Sequence, residues 1–377
     1  MNICQKGVIH WAENMLRFEN EEQELLDGLV DAIGSLPEGK AWIAGREIML
    51  TQRGGRVDAI IEAMIAGRSL QLLVEAKREA FPRDVREAIW TLNKHLAHQN
   101  ETDRDVVPFF VARAISSGAR AILREEKIGF YDLGGTLYIP APNTLIYIDR
   151  PVPPKDSKAF GAIFQGQRAR VVDEIFARRP GWVSVKQVAE DAEVSPATAS
   201  ATLSEMERRE WVEVKGAGPS KLRRLREPKL VLDAWADFLA DQKPPKFDRY
   251  YVSSANVEEL ARKLDRACNE ANAAYAVTSE VAAQAYAPYL SSVSQLRCRI
   301  IPGPQQDLAL ERLHARPVSE GWNLAVIETR ARGDVTVGKR IDGVAVARPL
   351  QVYLDLLQGS GRAKDMAAHL RKERLEQ

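Results

Sequence analysis

Two proline clusters set the plan of this chain. RPVPPKDSK runs from Arg150 to Lys158, and DQKPPKFD from Asp241 to Asp248. Proline fixes its own φ and excludes the residue before it from the helical region, so each cluster reads as an extended linker. The 377 residues then fall into three segments, at about 1–150, 160–240 and 249–377, each of domain size or smaller. Hydrophobic residues make up 45% and charged residues 28%, which is globular rather than disordered composition. The 53 basic and 52 acidic side chains leave a net charge of +1. That balance excludes a uniformly basic coat but not a local basic patch. No run approaches the ~18 apolar residues of a membrane-spanning helix. The N-terminal MNICQKGVIHWAENML lacks the basic-then-apolar order of a secretory signal. Cys4, Cys268 and Cys298 are too scattered for a disulfide framework or a zinc site, so a reducing, cytoplasmic setting is expected.

In the first segment, Glu21–Ile33 predicts a helix, with Leu25, Leu26, Leu29, Val30 and Ile33 on one face. RVDAIIEA (Arg56–Ala63) and SLQLLVEAK (Ser69–Lys77) flank Gly67 and read as a hairpin. If its loop is Ala66–Gly67, residue 65 faces 68, and counting outward sets Asp58 opposite Glu75. Residues so opposed lie with Cβ atoms roughly 5 Å apart, and Lys77, two residues beyond Glu75, shares their face. Paired carboxylates can hold a divalent cation through oxygen. A neighbouring lysine can orient water or stabilise charge on a phosphate. A solvated hairpin face can carry the same three residues with no chemistry.

Asp58 followed by Glu75-Ala76-Lys77 at the end of the next apolar strand resembles the PD-(D/E)XK nuclease superfamily. The elements beyond fit it too: PRDVREAIWTLNKHL as a helix, VVPFFVA as a buried strand, ISSGARAILREEKIG as a helix capped near Ser116 or Ser117, and FYDLGGTLYI as a strand pair. The resemblance covers about residues 20–140 and implies a restriction-endonuclease-like mixed sheet flanked by helices. It implies catalytic Asp58, Glu75 and Lys77, with Asp58 and Glu75 holding Mg²⁺ if the site is active. Val57 stands where the motif name has proline. The family often adds an acid from the first helix, for which Glu21 and Glu24 are both open. His95 and His98 lie three apart on one helix, too few for a closed metal site.

From Gln167 the pattern is three helices and then a basic hairpin. Ser184 is the expected N-cap of the second helix. Ser195-Pro196 opens the third, with serine at the cap and proline at the first helical position. Ala199, Leu203 and Met206 are expected in the core, leaving Ala197, Thr198, Ser200, Ala201 and Ser204 outward. WVEVKGAGPSKLRRL (Trp211–Leu225) reads as two strands around Gly216 and Gly218, and GAGPSK lacks the ending and context of a phosphate loop. This order resembles a winged helix-turn-helix over about residues 165–228. The candidate contacts to double-stranded DNA are Ser195, Thr198, Ser200 and Ser204 on the third helix, with Lys215, Lys221, Arg223 and Arg224 on the wing. The wing cations suit phosphates. The helix lacks the Arg, Asn and Gln that read base edges in pairs of hydrogen bonds. Protein contact is the other use of such a module.

The third segment predicts a helix at Val257–Asn272, strands in AYAVTS, SQLRCRIIP, WNLAVIE and DGVAVA, and helices in SEVAAQAYAPYL, PLQVYLDLL and GRAKDMAAHLRKERL. AVTSEVAAQAYAPYL, PLQVYLDLL and GRAKDMAAHL, together with the preceding module, resemble AbiEi-type antitoxins of type IV toxin–antitoxin systems over about residues 165–377. The likeness implies an α+β domain resembling a degraded nucleotidyltransferase. It further implies autorepression of a promoter, a nucleotidyltransferase toxin as partner, and it admits a homodimer. Thr278-Ser279 follows the strand and no D-x-D comes after it, so the paired acids that nucleotidyl transfer needs for Mg²⁺ are lacking. The expected function is therefore a DNA-binding transcriptional regulator of antitoxin type, with a Mg²⁺-dependent DNA endonuclease targeted by its winged helix as the alternative and an interaction scaffold as the third.

Overall fold

A computed structural model describes residues 20–49, 56–96, 105–142, 144–151 and 160–377. Cys4, His98 and residues 152–158 of the first proline cluster lie outside them. The chain divides into two compact units, Met1–Phe160 with Glu207–Glu210, and Gly161–Met206 with Trp211–Gln377. Among the described residues no helix is long and apolar enough to cross a membrane.

The first unit is a seven-stranded mixed sheet whose spatial order follows the sequence: β1 (Lys40–Met49), β2 (Arg56–Ile65), β3 (Arg68–Ala80), β4 (Asp105–Ile115), β5 (Gly129–Asp132), β6 (Leu137–Ala141) and β7 (Thr144–Ile148). The β3–β4 and β4–β5 pairings are parallel and the rest antiparallel. Helix α1 (20–34) buries Leu25, Leu26, Leu29 and Ile33 against Ala59, Ile61, Leu72 and Val74. A second cluster joins Val85, Ala88 and Leu92 of α2 (Pro82–Leu96) and Ala119 and Leu123 of α3 (Ser117–Glu125) to Leu73, Phe110 and Phe130. The sheet is thus buried on two faces, as its near-continuous apolar strands require. The N-cap of α3 is Ser116, whose hydroxyl accepts the Ala119 N–H. The sequence does not signal strand β7, because Pro140 and Pro142 just before it read as the end of regular structure.

The second unit opens with three helices, α4 (Gly166–Ala177), α5 (Val185–Asp191) and α6 (Pro196–Arg208). A three-stranded antiparallel sheet follows in the order β8 (Val183–Ser184), β10 (Leu222–Leu225), β9 (Val212–Lys215). Ser184 and Gln187 form a capping box, satisfying two backbone donors at once. Ala199, Leu203 and Met206 are fully buried, as the helical spacing predicts. Helix α7 (Pro228–Ala240) follows, and its Trp235 stacks on Phe164 with centroids 4.8 Å apart.

Beyond the second proline cluster lies another seven-stranded mixed sheet, containing β11 (Asp248–Tyr251), β12 (Tyr275–Thr278), β13 (Leu296–Ile300), β14 (Arg316–Pro317), β15 (Leu324–Glu328), β16 (Val337–Ile341) and β17 (Val344–Ala347). The spatial order is β14-β11-β15-β13-β12-β17-β16. Its helices are α8 (Val257–Ala271), α9 (Ser279–Tyr286), α10 (Pro304–Arg312), α11 (Pro349–Leu357) and α12 (Ala363–Leu370). One buried cluster runs from Ile163 to Leu375, so the second and third segments share a core across Pro244-Pro245. Arg348 reinforces that join, donating to Asp173 at 2.8 Å and Glu174 at 2.9 Å.

Truncating Leu203, fully buried on α6, should cost about 2–5 kcal/mol as Leu203→Ala. Ser204→Ala on the exposed side of the same helix should stay within about 0.5 kcal/mol. Urea unfolding followed by tryptophan fluorescence measures both.

Candidate active site

The β2–β3 hairpin positions the site. Ala66 and Gly67 have φ of 49° and 75°, the double positive φ of a type I′ turn, whose twist matches that of the flanking strands. Ile65 pairs with Arg68 and the ladder runs without slip to Ala59 and Val74. One further step sets Asp58 across from Glu75. Here the pairing is replaced by a side chain: Asp58 Oδ2 accepts the Ala76 N–H at 2.7 Å. The carboxylate is therefore anchored at the mouth of the hairpin, beside Glu75 and Lys77.

Glu75 is the unusual member. It is only 6% exposed, and its Oε1 is buried with no hydrogen-bond partner. Burial pushes its carboxyl up to about 7, Asp58 and Glu22 push the same way, and Lys77 partly offsets them. A buried acceptor left unsatisfied normally costs about 1–3 kcal/mol, so Glu75 is placed by the strand register at a cost to the fold. Lys77 is exposed, and its Nζ makes no hydrogen bond within the described residues.

The first-helix acid whose charge bears on the hairpin carboxylates is Glu22. Its carboxyl is raised by burial and by Asp58, and lowered by Arg46, Arg56 and Lys77, which places it in the same field as the hairpin residues. Glu21 and Glu24 turn instead toward Arg78 at 3.6 Å and Arg113 at 3.8 Å. The signal was in the helix period: positions 22, 26, 29 and 33 form one stripe, and Glu22 is the charged end of the stripe that enters the core.

Among the described residues no group of three or more His, Cys, Asp and Glu side chains could hold a metal. Two neighbouring carboxylates remain, one with an orphaned buried oxygen. That set fits Mg²⁺, which keeps several waters and commonly takes one or two protein carboxylates. His95 is buried in α2 and belongs to no such group.

The residues predicted on the second unit are arranged less simply. Ser195 is exposed, but its Oγ accepts the Thr198 N–H at 3.0 Å and bonds Thr198 Oγ1 at 2.9 Å, so both hydroxyls serve the cap of α6. Ala197, Ala201 and Ser204 are exposed, whereas Thr198 and Ser200 are half-buried. On the hairpin, Lys215 is exposed and Lys221 half-buried. Arg223 is not outward as expected: it is 5% exposed and donates to the Lys221 carbonyl at 3.1 Å. Arg224 pairs with Glu213 at 2.6 Å and lies over the Trp182 ring at 4.7 Å. The alternation of a strand explains the burial of Arg223, and Glu213 directly opposes Arg224 in the ladder. The cationic face is therefore narrower than the four-residue run suggests.

No protein-family model and no curated protein matches the chain. Among solved structures it is similar, over 30% of its length, to a repair endonuclease from Pyrococcus abyssi, with 20% identity and a TM-score of 0.22 over 47% of that chain. It is likewise similar over 30% of its length to a chain of the EndoMS-dsDNA2 complex, with 22% identity and a TM-score of 0.23 over 44% of that chain. The matched stretch spans less than half of either protein, and so weak a likeness carries no argument about activity.

The raised carboxyl of Glu75 has a stability consequence. The folded chain holds this proton at pH values where the unfolded chain has lost it. The wild type therefore loses stability as pH rises from about 4.5 through about 7, by at most about 3 kcal/mol. Glu75→Gln keeps the neutral form, so its melting temperature should match wild type at pH 5 and exceed it at pH 8, measured without divalent cations.

Proposed function

We propose that this chain is a DNA-binding protein whose first unit hydrolyses phosphodiester bonds with a divalent cation, Mg²⁺ in the first instance. The observation that carries the reading is the Glu75 carboxylate, buried beside Asp58 with one oxygen unpartnered. Charge placed on a hairpin for solubility alone stays in water and keeps an ordinary carboxylate pKa. Asp58 and Glu75 are the residues that hold the cation. When bound, Mg²⁺ supplies Lewis-acid stabilisation of charge on the phosphoryl oxygens. The chain's own groups do the rest. The Ala76 N–H fixes Asp58, Glu22 adds negative potential that favours cation entry, and the Lys77 ammonium donates to a non-bridging phosphate oxygen or holds the attacking water.

The second unit supplies duplex binding in this proposal. Helices α4 to α6 and the β8–β10–β9 sheet are read as a winged helix-turn-helix. The exposed small side chains of α6 permit close approach to a groove, and Lys215 and Lys221 contact phosphates. A second reading keeps the same DNA contacts but a silent first unit: a regulator of AbiEi antitoxin type, repressing its own promoter and counteracting a nucleotidyltransferase toxin. The favouring observation is that α6 presents the small side chains Ala197, Ala201 and Ser204 to solvent. In that reading the α+β domain resembles a degraded nucleotidyltransferase.

Purified protein with Mg²⁺ or Mn²⁺ should cut duplex or branched DNA, with the rate rising with pH as the cation displaces the Glu75 proton, over a range below the metal-free midpoint of about 7. Asp58→Ala and Glu75→Ala should each lower cutting by about 10³-fold or more, and Lys77→Ala by about 10²-fold. If wild type leaves every substrate intact, the hydrolytic reading fails. A mobility shift on DNA upstream of its own coding region, stronger than on random DNA, then distinguishes the regulator. Lys215→Ala with Lys221→Ala should reduce the salt slope of duplex binding by about 2.

A further inference from the structure

In the second unit, residues of β11, β14 and α8 and the end of α10 line a cleft of about 600 Å³ that the proposed function does not use. Lys263 and Arg266 of α8, Arg312 at the end of α10 and Arg316 of β14 line it, with His314 beside them. Glu270 is the one acid among its described lining residues. Such a concentration of cations stands out in a chain of net charge +1. Two of them are answered within the protein. Arg312 pairs with Glu270 at 3.1 Å, and Lys263 with Glu259 at 3.0 Å and the Ser253 carbonyl at 2.9 Å. Arg266 and Arg316 are exposed, and their side chains have no ion pair or hydrogen bond among the described residues. Tyr251 faces Arg316 across the β11–β14 pairing and leaves 47% of its surface open at the same cleft.

We propose that this cleft binds a nucleoside phosphate, either free or as part of a single strand. Uncompensated guanidinium groups held on regular elements offer planar pairs of donors that match phosphate oxygens. An exposed aromatic ring beside them gives a base of any identity a face to stack on, which a duplex with its bases already stacked does not offer. The volume suits one small ligand. The His314 backbone sits at φ 52°, where it turns the chain sharply from α10 to β14 and brings Arg312 and Arg316 to one site. The proposal is independent of the hydrolytic reading of the first unit.

The test uses the full chain in EDTA and a fluorescein-labelled oligothymidylate of about eight nucleotides, followed by anisotropy, with thymidine monophosphate and a duplex as competitors. Arg266→Glu with Arg316→Glu should weaken strand binding at least tenfold at unchanged melting temperature. Tyr251→Ala should weaken it about fivefold while Tyr251→Phe retains it. Displacement by thymidine monophosphate identifies the free nucleotide as a sufficient ligand, and its failure to displace a strand that remains sensitive to these variants identifies the strand. The proposal is overturned if neither probe binds wild type at millimolar concentration, or if strand binding is indifferent to the charge reversal. Should the double variant unfold, the contrast between Tyr251→Ala and Tyr251→Phe decides alone, and equal binding by those two overturns the proposal.

Discussion

The β2–β3 ladder is the constraint from which the candidate site follows. A one-residue slip in an antiparallel pairing would send every side chain to the opposite face. The two-residue turn at Ala66–Gly67 prevents it, because both residues take positive φ and only one register closes such a loop. With the register set, the apolar residues of β2 and β3 are committed to the core, and Asp58, Glu75 and Lys77 have no choice but to gather at the hairpin mouth. Helix α1 is tied to the same ladder through Leu26 and Leu29, so Glu22 arrives as a consequence of packing.

Ionisation of Glu75 is costly to the fold. A carboxylate that is buried, lacks a partner on one oxygen and faces two other acids destabilises the fold wherever it is ionised. Lys77 offsets only part of that. A divalent cation reverses the sign of each of these interactions, turning mutual repulsion among acids into shared attraction. Catalytic residues are drawn from such arrangements because their pKa values lie near the working pH.

Much of this was legible in the sequence, and the rest failed for identifiable reasons. The hairpin register could be counted from Gly67 because a two-residue loop leaves no freedom. The helices at Pro82–Leu96 and Pro196–Arg208 announce themselves by proline at the first position and a regular apolar stripe. Glu22 is hard to single out by composition because Glu21 and Glu24 lie beside it, although position 22 shares the stripe of Leu26, Leu29 and Ile33. A run of cations reads as a patch, but β-strand alternation sends Arg223 inward, and Glu213, on the partner strand, neutralises Arg224. The strands β11 and β14, of four and two residues, carry too few residues for a period to show.

The central claim is that Glu75 is a buried carboxyl that holds its proton to about pH 7 and yields it to a divalent cation. Its most direct test is the titration of its own carboxyl carbon by NMR in selectively labelled protein, assigned with a Glu75→Gln control, with and without Mg²⁺. The account predicts a midpoint near 7 without the ion and a clear downward displacement when Mg²⁺ is added. A midpoint at the ordinary glutamate value of about 4.3, unmoved by Mg²⁺, would contradict it.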